Sequence, residues 1–255
     1  MYKRLNSFVL IQFALLLNGC AQATDRTLSP PSNSDWINIK IKNPSAYTKP
    51  FPLEVLYVST TCKRKLMSMR DGQHYEKVGL NPLKIPLQQK NSSGVWIAKI
   101  AKDGGGKCNW KLSEFSLGIE YIDATHLGKG LVPGTAVGAT IAFDDNANKN
   151  GLFKVSENSV LILSPAYYPL IQDNKRISEN DMLNLFGEKD FMQIKMVSSA
   201  KDIQVVFKPT LDESKLVKMI APKEHKAGAF YKIIYPDGTV VSDGTTHPDV
   251  NRLKD

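Results

Sequence analysis

The alternation of apolar and polar residues constrains the fold of this chain more than any other feature of its sequence. From Trp36 onward, Ile37, Ile39 and Ile41 alternate with polar residues, a spacing that places the three isoleucines on one face of a β-strand. Similar segments recur with turn residues between them. Strands are predicted at 53–60, 95–100, 108–115, 117–121, 137–143, 159–163, 191–197 and 203–207. Short strands at this spacing predict a β-sandwich-like domain over residues 36–165.

Two segments of the C-terminal part have features of helices instead. Ser178 and Asp181 have the spacing of a capping box, which predicts a helix over residues 177–187. A second helix is predicted over residues 211–220, where Pro222 ends the segment.

The region after the sandwich, residues 166–255, is therefore predicted to be smaller and β-rich, with one or two short helices. A turn at Pro236-Asp237-Gly238 lies between two apolar runs and predicts a hairpin. The fold class is thus mainly β. One continuous β fold, without a boundary near residue 166, remains the alternative to two domains.

The first residues of the chain have the pattern of a secretory signal. Lys3 and Arg4 precede an apolar run at residues 8–17. A membrane-spanning helix needs about 20 apolar residues, twice the length of this run. Charge, then a short apolar segment, then small residues is the order of an exported protein.

The end of this run, Leu17-Asn18-Gly19-Cys20, resembles the lipobox of bacterial lipoproteins. Leu17, Gly19 and Cys20 match the family pattern, whereas Asn18 stands where Ala, Ser or Thr is usual. The resemblance implies removal of residues 1–19 and lipidation of Cys20 by a thioether diacylglycerol and an N-acyl chain such as palmitate. An ordinary signal peptide with an incidental cysteine is the alternative.

The resemblance also implies where the protein is located. Ala21 follows the cysteine, and in lipoproteins of this type the absence of Asp there favours the outer membrane, facing the periplasm. Residues 20–35 are polar, contain prolines and lack periodicity, so we expect them to form a lipidated flexible tether.

The other two of the three cysteines, Cys62 and Cys108, form an even pair in an oxidising compartment. This predicts a disulfide bond between them. Two free thiols are one alternative, and a zinc pair is another, although neither cysteine has a second Cys or His at ligand spacing.

The net charge of the chain indicates which classes of partner to expect. The chain has a formal net charge of +8, and loss of Lys3 and Arg4 with the signal would lower it to +6. A basic surface attracts acidic partners such as a protein face, lipid or polysaccharide. Nucleic acid is not expected, because the protein is exported and lacks an aromatic and basic recognition motif.

Residues that would carry chemistry are sparse. Asn146 to Gly151, with Glu157 beyond it, has the spacing of an EF-hand calcium loop, but Asn replaces Asp at its first position and lysines oppose a cation. A polar hairpin loop fits better. The histidines do not form a ligand pair, and nucleophile motifs such as G-x-S-x-G are missing. The chain is therefore predicted to be neither an enzyme nor a metal or cofactor protein.

Two exposed features are candidates for partner binding. One is a basic cluster beside the disulfide, formed by Lys63, Arg64, Lys65 and Arg70. The other is Tyr167-Tyr168, set between two prolines. Tyr and Arg are enriched in binding hot spots, so Arg64, Tyr167 and Tyr168 are the candidate contact residues. Their alternatives are a solvated strand end for the cluster and packing at a domain junction for the tyrosines.

The signal, the size, the β-rich pattern and the cysteine pair together resemble lipoproteins that protect against effectors of type VI secretion, especially periplasmic phospholipases. The resemblance implies an immunity protein: a non-enzymatic module that neutralises a secreted toxin by binding it. A structural or assembly lipoprotein of the cell envelope is the alternative from a different class.

Overall fold

The computed structural model of the protein describes residues 24–146, 153–175, 178–224 and 226–254. The fold is mainly β, as predicted. The strands are β1 (Trp36–Lys42), β2 (Thr48–Pro50), β3 (Leu53–Met67), β4 (His74–Ile85), β5 (Gln88–Lys90), β6 (Val95–Ala101), β7 (Asp103–Gly105), β8 (Trp110–Tyr121), β9 (Val132–Pro133), β10 (Val137–Ala142), β11 (Lys154–Ser156), β12 (Val160–Leu163), β13 (Ala166–Asp173), β14 (Met182–Gly187), β15 (Phe191–Met196), β16 (Asp202–Phe207), β17 (Thr210–Leu211), β18 (Val217–Ile220), β19 (Lys232–Ile234) and β20 (Val240–Val241). Helical structure in the described ranges is limited to single 3-10 turns at Asn91–Ser93, Thr125–Leu127 and Val250–Arg252.

These strands form three sheets. A five-stranded sheet has the order β12-β16-β1-β6-β5, and an eight-stranded sheet has the order β11-β15-β10-β8-β3-β4, with β2 and β7 also paired to β8. The third sheet has seven strands in the order β20-β19-β18-β13-β14-β9, with β17 beside β13. Parallel pairs such as β1 with β16 and β10 with β15 join strands distant in sequence.

One core holds the first two sheets together. Ile37, Ile39 and Ile41 of β1 are buried there, as their alternation predicts. They belong to one cluster with Phe115 and Ile141 of the eight-stranded sheet. The disulfide-stapled sandwich predicted from the sequence is therefore the centre of the fold.

The boundary predicted after residue 165 does not separate the sheets. Strand β15 belongs to the eight-stranded sheet, and β16 lies between β12 and β1 in the five-stranded sheet. Leu183 and Leu185 of β14 also join the main core. The chain thus returns to the sandwich after residue 166, which is the continuous arrangement that the sequence left open.

The far side of the seven-stranded sheet has a smaller core of its own. Tyr168, Phe186, Val217 and Ile233 pack there with Val250 of the last 3-10 turn. Strands β13 and β14 are therefore covered on both faces.

The helix predicted over residues 177–187 is absent, because Met182–Gly187 is strand β14. It pairs antiparallel with β13, and four consecutive residues, Leu183 to Phe186, are buried. A strand buried on both faces loses the alternation that identifies strands, which is why the apolar run resembled a helix. The supposed capping residue Asp181 instead forms an ion pair with Lys175.

The second predicted helix, residues 211–220, is also wrong. Its second half is strand β18, which lies between β13 and β19. Val217 and Met219 are buried, whereas Lys218 between them is exposed, so this segment has a period of two. The hairpin predicted at Pro236-Asp237-Gly238 is confirmed by the antiparallel pairing of β19 with β20.

The segment expected to be a flexible tether is instead docked on the sandwich from Asp25 onward. The amide of Ser29 donates to the carbonyl of Gly104 at 2.8 Å, and Leu28 packs against the main core. A Cβ on Gly105 would lie 2.1 Å from the carbonyl oxygen of Ser29. The glycines following Asp103 therefore leave the space that the N-terminal segment occupies.

Candidate interaction surfaces

A disulfide marks the point where the β3–β4 hairpin leaves the sandwich. Cys62 and Cys108 are bonded, as predicted, with Cα atoms 5.2 Å apart and a sequence separation of 46. Closing a loop of this length stabilises a fold by about 4 kcal/mol in the chain-entropy model.

Cys62 lies in an irregular segment of β3. The pairing of β3 with β4 is interrupted between Ser59 and Arg64. The buried hydroxyl of Ser59 accepts from the amide of Cys62 at 2.8 Å and donates to the carbonyl of Cys108 at 2.5 Å. Hydrogen bonds and the disulfide together fix the root of the hairpin.

Beyond this root, residues 63–77 form an arm that we call the distal hairpin. Pairing resumes from Arg64 with Lys77 and continues to Met67 with His74. Most of its side chains are exposed, including three large apolar ones: Met67 (60%), Met69 (101%) and Tyr75 (42%). Exposed large apolar side chains on one short arm are typical of an interaction site.

The distal hairpin is also basic. It contains five Lys or Arg residues and two acidic residues, a net charge of +3. Lys63 pairs with Glu76 at 3.2 Å, and the Lys77 ammonium lies 5.5 Å from the centre of the Tyr75 ring. Arg64, one of the three predicted contact residues, is exposed on this arm.

A second surface is the outer face of the five-stranded sheet. Trp36, Asn38 and Lys40 point away from the core because the isoleucines between them point inward. Lys40 lies opposite Val206 and Ile97, and Val206 lies opposite Ile162. Residues opposite each other share a face, so this outer face bears a row of apolar side chains interrupted by one lysine.

The outer face contains a shallow depression of about 560 Å³. Its lining includes Lys40, Ile97, Lys99 and Val206. The Lys99 ammonium lies 4.6 Å from the centre of the Trp36 ring. Two lysines among apolar side chains match a partner surface that has acidic groups among apolar ones.

The other two predicted contact residues are not on the surface. Tyr167 and Tyr168 are 1% and 5% exposed. They point to opposite faces of β13: Tyr167 joins the main core and Tyr168 the smaller core. Burial raises the pKa of Tyr167, with a smaller contribution from Asp190. Packing at the junction, the alternative considered for these residues, describes their position.

A cluster around His126 was not foreseen. Its Nε2 lies 2.9 Å from Oε1 of Glu213, and the hydroxyl of Tyr121 donates to the same carboxylate at 3.2 Å. The ring of Tyr47 stacks on the imidazole with centroids 3.6 Å apart. Burial, followed by the charge of Glu213, raises the pKa of Tyr121. The cluster joins the end of β8 to the loop before β18, and no local sequence pattern identifies residues 87 positions apart.

Two predictions fall partly or wholly outside the described ranges: lipidation at Cys20, and the polar loop at residues 146–151 that was preferred to a calcium site. Cys20 is not described, and neither are residues 147–151 of the loop. Within the described residues, groups of three or more His, Cys, Asp or Glu side chains placed to hold a metal are not found. The same part of the chain has no helix long and apolar enough to span a membrane.

Comparisons with protein-family models, with curated proteins and with solved structures found no match to this chain.

Proposed function

We propose that the protein is a periplasm-facing lipoprotein of the outer membrane that acts as a non-enzymatic protein-binding module. In its most specific form, it is an immunity protein that neutralises a type VI secretion effector, with a phospholipase toxin as the candidate. The lipobox-like sequence at Cys20 supports the anchoring, and the stapled β scaffold supports binding.

The outer face of the five-stranded sheet is the observation that carries the binding role. Ile162 is 59% exposed and Ile97 is 37% exposed on this face, so a protein that covers it removes apolar area from water. Trp36 provides an aromatic side chain of the type that dominates binding energy. Lys40 and Lys99 would accelerate association with an acidic partner and make it dependent on salt.

Pull-down and co-expression test this function. The mature protein should capture a toxin, particularly one encoded by a neighbouring gene, and should protect cells when both proteins are in the periplasm. Cytoplasmic expression should not protect. If no toxin binds and deletion weakens the envelope in monoculture, a structural lipoprotein replaces the immunity protein.

A matched pair of variants locates the interface. Ile162→Asp places a charge on the outer face and should weaken toxin binding by about tenfold or more, as expected for a contact worth over 1.4 kcal/mol. Val240→Asp is the control, because Val240 has a similar exposure of 56% but lies on β20 of the third sheet. Equal effects of the two substitutions would exclude the outer face as the interface.

A further inference from the structure

We infer that the distal hairpin, residues 63–77, docks on the anionic phospholipid surface of the membrane that holds the protein. The inference rests on the lipid anchoring proposed above and goes beyond it, because it assigns a second membrane contact to the folded domain.

The first observation is where the N-terminal segment meets the sandwich. The carbonyl of Asp25 accepts from the Trp110 indole at 3.1 Å, and the carbonyl of Arg26 accepts from Asn81 at 2.9 Å. The Trp110 ring lies 3.5 Å from where a Cβ would sit on Gly79, which pairs with Ser59 at the end of the regular β3–β4 ladder. Asp25 is therefore held at the root of the distal hairpin.

The second observation is the length of chain between Asp25 and the proposed anchor. Five residue steps separate Cys20 from Asp25, which limits their separation to about 18 Å even when fully extended. A strand rises about 3.3 Å per residue, so the five residue steps from Cys62 to Met67, where β3 ends, carry the arm about 17 Å from the same root, and Met69 lies in the turn beyond it. An anchored protein thus holds the root within one arm's length of the membrane surface.

The third observation is the composition of the arm. Met69 is fully exposed at its tip, Met67 lies beside it, and Tyr75 belongs to the facing strand. Tyrosine is enriched at membrane–water interfaces, and basic side chains are attracted to anionic headgroups. Three basic residues follow the root directly: Lys63, Arg64 and Lys65. The arm therefore has basic side chains next to its root and apolar side chains towards its tip.

A fluorescent probe at the tip tests this contact. The full-length lipoprotein carries Met69→Cys, labelled with an environment-sensitive fluorophore, and is reconstituted in phosphatidylcholine vesicles with or without phosphatidylglycerol. We expect blue-shifted emission, and strong quenching by nitroxide-labelled lipid, in the vesicles that contain phosphatidylglycerol. Ile162→Cys is the control on the outer face and should report water in both vesicles.

A second pair of variants tests the charge. Lys63→Glu/Lys65→Glu should abolish most of the blue shift at position 69, whereas Lys40→Glu/Lys99→Glu makes the same charge change on the outer face and should leave it intact. Equal losses in the two variants would overturn the inference, because the effect would then be one of overall charge.

The remaining outcomes distinguish failure of the hairpin contact from failure of the lipid anchor. A lipidated protein whose position 69 stays in water in both vesicles retains the anchor and refutes the hairpin contact. A protein that proves not to be lipidated at Cys20, yet floats with phosphatidylglycerol vesicles and has position 69 shielded from water, refutes the anchor and retains the contact. Shielding of position 69 only after a toxin is added makes the arm a protein-binding element and overturns the membrane contact.

Discussion

The indole Nε1 of Trp110 donates a hydrogen bond of 3.1 Å to the carbonyl oxygen of Asp25, a residue 85 positions earlier in the chain. This bond holds the N-terminal segment against β8, a strand of the main core. Ser29 continues the attachment through its bridge to Gly105. The described fold therefore includes the chain from Asp25 onward rather than only from Trp36, where the strand pattern begins.

Gly105→Ala should release this segment. Gly105 has a φ of +56°, and an added Cβ would lie 2.1 Å from the Ser29 carbonyl oxygen. Gly72→Ala is the matched control, because Gly72 has a φ of +71° but has nothing within 4 Å of the added atom. We expect about 1 kcal/mol of destabilisation from the left-handed backbone in both variants, and more in Gly105→Ala alone. Hydrogen exchange at the Ser29 amide should accelerate only in Gly105→Ala, and equal exchange in the two variants would contradict the docking.

The sequence predicts the sandwich well where a strand has one buried face, as β1 does. Ile37, Ile39 and Ile41 alternate with polar residues, and the pairing of Cys62 with Cys108 follows from compartment and count. Local pattern and tertiary environment agree at these positions, which is what makes them predictable.

Other features depend on contacts that no local pattern contains. Strand β14 lost its alternation because two cores cover it, and the His126–Glu213 contact joins residues far apart in the chain. The docking of residues 25–29 has one local signal: three consecutive glycines, Gly104 to Gly106, exceed what a hairpin turn needs. The alternation in β1 predicts which of its residues lie on the outer face of the five-stranded sheet. It does not predict which residues of the other strands lie beside them.

Removing the disulfide should loosen the root of the distal hairpin. The double variant Cys62→Ala/Cys108→Ala is expected to lose about 2–4 kcal/mol in the free energy of unfolding, because a loop of this length is no longer closed in the unfolded chain. Denaturant titration measures this loss. A reducing agent should destabilise the wild-type protein to a similar extent and leave the double variant unchanged. A double variant as stable as the wild type would contradict this role of the bond.

The hydroxyl of Tyr57 should make part of the stability dependent on alkaline pH. It donates to the carbonyl of Ala101 at 2.7 Å, and burial, with a smaller effect of Asp103, raises the pKa of Tyr57 to about 12. A raised pKa means that the stabilisation is complete below the unfolded value of about 10 and is lost as the pH rises through 12.

Tyr57→Phe should therefore cost about 1 kcal/mol at pH 8, and the difference from the wild type should shrink between pH 10 and 12. Denaturation curves at several pH values measure it. Comparing the two proteins removes the contributions of Tyr121 and Tyr167, whose pKa values are also raised. Tyr75→Phe, on the exposed distal hairpin, is the matched control and should leave stability unchanged. A difference that stays constant with pH would contradict a buried, protonated Tyr57.

Cys20→Ser should release the protein from membranes without affecting its fold. The first described contact with the sandwich is made by Asp25, five residues after the proposed lipid site, so we expect the substitution to leave the core unchanged. Several acyl chains give lasting anchorage, at about 0.8 kcal/mol per buried CH₂ group, and a serine cannot carry the thioether. We expect the variant in the soluble fraction with an unchanged free energy of unfolding.

Asn18→Ala, which brings the lipobox closer to the family pattern, is the control and should remain in the membrane fraction. If Cys20→Ser stays there as well, the lipid is not the anchor.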